Sequence, residues 1–235
     1  MTDKSMDWRD IHEQSVVVDL HNHAVLKKFL LDRDLTGGKT KFLSTLFKRA
    51  FWPLSQRSTF PLVEKGGVDI VLSTCYIPER EWLEDQPLIK LALALSPSTK
   101  KRVFDPFYYD ATISMMDAME KEVDLYNKKN LDKDVKTIKF VKNPTELSKC
   151  VELGQIAMIH SIEGGHSLQG VECETSHEGY KGKTWILEKA IEAEVLHNLE
   201  HLADRGVAYL TLAHFYPNKI AHPVFPYPNY GIKKS

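Results

Sequence analysis

Three β-branched residues, Val16, Val17 and Val18, run directly into Asp19-Leu20-His21-Asn22-His23. An apolar run of this length without polar alternation reads as a short buried strand of a parallel sheet covered on both faces. Side chains two apart on an extended chain point to the same side, so His21 and His23 can reach one metal ion from the strand's C-terminal end. Each could also be an ordinary histidine near a turn, and the rest of the chain has to decide between the two.

Hydrophobic residues make up 43% of the 235, with 27% charged and a net charge of -1, so there is a core to bury and no electrostatic case for nucleic acid or an anionic membrane as partner. Met1 to Gln14 is polar and the apolar run behind it is far too short for a secretory segment or a membrane span, which reads as a cytoplasmic protein. Cys75, Cys150 and Cys173 show no C-x-x-C spacing and suggest neither a disulfide framework nor a thiolate zinc site. Any metal must then be held by histidine and carboxylate.

Four further segments read as strands: Val68 to Pro78, Thr137 to Val141, Gln155 onward to Ile162, and Val207 to His214. Between them, apolar residues at three- and four-residue steps predict helices from about Ala111 to Asn130 and from about Thr184 to Asp204, with shorter ones over Leu88 to Leu95 and after Asn143-Pro144. The stretch through Phe42, Phe47, Lys48, Arg49, Phe51 and Trp52 reads as packing or a loop over a pocket, with a membrane-surface helix as the alternative. Alternating strands and helices imply right-handed βαβ units, a parallel sheet and an α/β fold. Residues 1–235 are read as one α/β domain with about five strands; a TIM-type β/α barrel, which has eight, would be incomplete here.

His21 and His23, Glu163 and His214 all fall at predicted strand C-terminal ends, where such a barrel builds its active site. Glu163 precedes Gly164-Gly165, where backbone can pass close to a ligand, and its two oxygens could bridge two metals; a capping or solvated glutamate is the plainer alternative. His214 could face a substrate or an oxyanion, or be satisfied by a backbone carbonyl. His166 could face the same pocket or support its turn, and His160 could point into the barrel or into the helix layer. His197 and His201 lack the H-E-x-x-H pattern and read as surface residues, and Met115, Met116 and Met119 as core. Histidine and carboxylate donors suit zinc or a similar divalent ion, and water acidified by such an ion is the chemistry of amide hydrolysis.

The segments Val18 to His23, Gly66-Gly67-Val68, Ile162-Glu163-Gly164-Gly165-His166 and Gly206 to His214 together resemble the membrane dipeptidase (renal dipeptidase) family of the amidohydrolase superfamily. The resemblance implies a metallodipeptidase with one or two zinc ions: His21 and His23 as ligands, Glu163 as the bridging carboxylate, and His214 as the residue contacting the substrate. Where that family usually carries aspartate, this chain has His23. Two more histidines and an aspartate of the family pattern would lie beyond Ser235. The expectation is therefore a fragment, a homodimer or a chain completed by another, or a decayed barrel that acts in binding. A PHP or TatD-like phosphoesterase is the enzymatic alternative to dipeptide hydrolysis.

Overall fold

The structure is a computed structural model that describes residues 7–37, 58–175 and 189–223. The aromatic and basic stretch around Phe42 to Trp52 lies outside these residues, as does the expected start of the last helix at Thr184.

Five strands form one parallel sheet: β1 (Val18–Asn22), β2 (Ile70–Cys75), β3 (Ile138–Phe140), β4 (Ile156–Glu163) and β5 (Val207–Thr211). The centre is β2 beside β4, with Ile70 opposite Ala157 and Cys75 opposite Ile162. Nearly every residue of these two strands is buried, as expected of parallel strands covered on both faces.

The α/β class, the strand number and the parallel sense agree with expectation, but β3 does not occupy a place of its own between β2 and β4. It pairs with Ile156 to Met158 on one edge of β4, and β5 pairs with His160 to Glu163 farther along that same edge. The opposite edge of β4 is given wholly to β2.

β1 departs further from expectation. It pairs with β2 through Val18 opposite Ile70 and, among the described residues, has a partner on one side only. Val16, Val18 and Leu20 are 54%, 43% and 67% exposed, so this apolar run is an edge strand and not a strand covered on both faces. A run of β-branched residues specifies extended backbone, but burial depends on what packs against it later.

The helix Tyr108–Lys129 covers the sheet and directs Met115, Met116, Met119, Val123 and Tyr126 into the main core. Each of its buried methionines contributes about 1.5–3 kcal/mol relative to exposure. Glu122 is buried on the same helix, where Lys28 Nζ lies 3.0 Å from Oε1 and the Leu35 amide donates to Oε2 at 3.1 Å. A second helix, Pro144–Glu152, starts where its sequence indicates: Asn143 accepts a hydrogen bond from the Glu146 amide at 2.9 Å, and proline follows at the first helical position. Among the described residues no helix is long and apolar enough to cross a membrane.

Candidate metal centre

The parallel arrangement brings the C-terminal ends of β1, β4 and β5 together. His21 lies within β1, His23 directly follows its last residue, Glu163 ends β4, and His214 stands three residues beyond the end of β5. The backbone at the end of β1 is shaped by its own side chains. Asp19 Oδ1 accepts from the His21 amide, Asp19 Oδ2 from Asn22 Nδ2, and Asn22 Oδ1 from the Ala24 amide. This Asx-type network turns the chain into the helix Ala24–Leu31 and leaves both imidazoles on one side.

The two Nε2 atoms stand 2.8 Å apart. Glu163 Oε2 lies 3.1 Å from that of His23 and 3.4 Å from that of His21. Among the described residues this is the one group of three or more potential ligand side chains whose donor atoms all lie within 4.8 Å of one another. Burial pushes the Glu163 carboxyl up, but His23, His214 and His21 outweigh it and hold the group below its ordinary range, as an anion. Two imidazoles and a carboxylate converging in this way fit a divalent ion of the zinc type.

The turn after Glu163 requires its two glycines for different reasons. Gly164 has φ +95°, and a Cβ there would lie 2.2 Å from His166 Cε1. At Gly165 a Cβ would meet the Leu212 carbonyl oxygen at 2.8 Å. The amides of Gly164 and Gly165 donate to the carbonyls of Thr211 and Leu212 at 2.9 and 2.7 Å, tying the end of β4 to the chain leaving β5. His166 supports this turn from below: it is buried, burial disfavours its charged form, and its Nε2 donates to the Ile77 carbonyl at 2.7 Å.

His214 faces Glu163 from the other side, its Nε2 3.5 Å from Oε1. Its Nδ1 lies 2.7 Å from Oε1 of Glu79, a residue that sequence reasoning passed over. Glu79 follows Pro78 and precedes Arg80-Glu81, a run that looks like a solvated helix start, yet it is only 3% exposed. Its Oε2 accepts from the Tyr76 hydroxyl at 2.6 Å, and its Oε1 also accepts from the Phe215 amide at 3.2 Å. Burial alone would raise this carboxyl, but the hydrogen bonds from His214 and Tyr76 and the nearby His166 hold it at about 2.

The remaining expectations divide. His160 points to the helix layer, with Nε2 2.9 Å from Glu120 and its ring stacked on Phe140. His197 and His201 are exposed, and His201 Nδ1 shares a hydrogen bond with the Tyr109 hydroxyl. Cys75 is fully buried.

No protein-family model matches the chain, and no curated protein matches its sequence. Among solved structures, a similar chain is the dipeptidase AC, a metallopeptidase, with a TM-score of 0.41 and 14% identity over 83% of this chain and 41% of that one. The chain thus spans about two fifths of that structure, and the reading of the site rests on its own geometry.

Proposed function

We propose that this chain carries the metal-binding part of a hydrolase acting on dipeptides or similar small amides. The observation that carries the proposal is the convergence of His21, His23 and the Glu163 carboxylate at the C-terminal ends of β1 and β4, the two strands that flank β2, with donor atoms within 4.8 Å. Such ends are where open and closed α/β sheets place their chemistry. A divalent ion held there, zinc in this reading, supplies acidified water and polarises a carbonyl. Glu163 directs Oε2 to the two imidazoles and Oε1 to His214, so ligand and substrate-facing roles are divided between its oxygens. In this reading His214 contacts the substrate amide or the charge that develops on its oxygen.

Elemental analysis and calorimetric titration with Zn²⁺, together with hydrolysis of a dipeptide panel, test this reading. The expected result is bound metal in the wild type, its loss on Glu163→Ala, and dipeptide cleavage that stops when a chelator is added. Metal content unchanged by Glu163→Ala would remove Glu163 from the ligand set and the reading with it.

A further inference from the structure

Glu79 is the acid whose burial the fold itself does not explain. It is 3% exposed, and with desolvation this costly a carboxylate is retained only where its partners use it. Three donors converge on it: the Tyr76 hydroxyl on Oε2, and His214 Nδ1 and the Phe215 amide on Oε1. Tyr76 also packs its ring against His214, centroid to centroid at 4.6 Å. His214 therefore has one nitrogen committed to a buried anion and the other 3.5 Å from the carboxylate of the candidate metal centre.

We propose that Glu79 is a positioning residue that acts through His214, holding a proton on Nδ1 so that Nε2 is always the atom turned to the substrate beside Glu163. This rests on the hydrolase reading above. The physical basis is general: the partner of one imidazole nitrogen fixes the tautomer and the orientation of the other. A flipped ring would set a carbon against Glu79 and leave a buried anion short of a donor, so the carboxylate selects one of two ring orientations. The Nδ1–H bond persists whether or not Nε2 is protonated, so the same aim is kept on substrate binding and as charge develops. Tyr76 and the Phe215 amide in turn keep Glu79 from rotating.

The experiment is long-range ¹H–¹⁵N NMR of the imidazoles in the metal-free full chain, with the His214 signals identified by their loss in His214→Gln. The wild type is expected to carry its proton on Nδ1, and Glu79→Gln to shift His214 toward the Nε2–H tautomer. A wild-type His214 that bears its proton on Nε2 alone overturns the proposal without any variant at Glu79. In the metal-loaded protein, Glu79→Gln is expected to lower kcat on a dipeptide by about 10–100-fold with KM and metal content little changed, the range for loss of such a supporting partner. Combined with His214→Gln it should add no further loss, and additive losses overturn the proposal. A wild type that binds metal but cleaves no dipeptide defeats the hydrolase reading alone, and the tautomer still decides the role of Glu79.

Discussion

The Gly165 amide donates to the Leu212 carbonyl at 2.7 Å, and through that bond the end of β4 is held against the chain that carries His214. The distance between Glu163 and His214 is thus set by backbone contact and not by the two side chains finding each other.

Gly164→Ala tests this arrangement. With φ +95° and His166 in the space a Cβ would take, the substitution must strain the backbone and push the imidazole off its bond to Ile77. A loss of about 1–3 kcal/mol of stability is expected, read by urea unfolding. Weaker Zn²⁺ binding should accompany it in calorimetry, because Glu163 is the neighbouring residue. An unchanged urea midpoint would mean that the turn relaxes freely.

Glu122→Ala is predicted to destabilise by about 2–4 kcal/mol, since removing one partner of a buried pair leaves Lys28 and the Leu35 amide undercompensated. Lys28 keeps Asp32 at 2.8 Å, which places the cost below that of a fully isolated charge. Zn²⁺ affinity should not change, because Glu122 lies on the covering helix and its partners are Lys28 and the Leu35 amide, not the ligand side chains. Chemical denaturation and calorimetry on the same preparation separate the two effects.

Stability should fall on acidification through the Glu120 cluster. Bonds from His160 and Arg205 hold the Glu120 carboxyl at about 2 against an ordinary value of 4.5, so its contribution is present above 4.5 and lost as pH falls toward 2. His160 acts in the same direction: burial lowers its pKa below 6.5, so the unfolded chain takes up the proton first and stability begins to drop below that value. Thermal melts across this range should show a steep acid limb in the wild type and a shallower one in Glu120→Gln. Parallel limbs would assign acid sensitivity to other groups.

Much of the site was legible because its residues end apolar runs. His21, His23 and Glu163 each stand at the C-terminal end of a strand readable from local composition, and parallel sheets bring such ends together without further information. Glu79 was hidden for the opposite reason: its neighbours Arg80 and Glu81 give it the look of a solvated turn, and its burial comes from Tyr76 and from His214, 135 residues away. The same holds for Glu122, which sits in a charged helix and is buried by Lys28 and Leu35. The exposure of β1 was illegible because three valines specify extended backbone and say nothing about what covers it. The place of β3 was illegible as well, since a short strand's partner is chosen by register with a distant segment.

The shared edge of β4 divides that strand into a half flanked by β3 and a half flanked by β5. Loss of β5 would strip Ser161 to Glu163 of one neighbour while Ala157 and Met158 kept theirs on both sides, so His214 could swing away from Glu163 without the sheet coming apart. Opening of this kind is a local event whose free energy is only a part of the global value. In hydrogen exchange it would appear as faster exchange at Gly164 and Gly165 than at Val141, whose amide is held by Met158. The candidate metal centre thus takes Glu163 from the half of β4 whose second neighbour is β5, the strand that leads to His214.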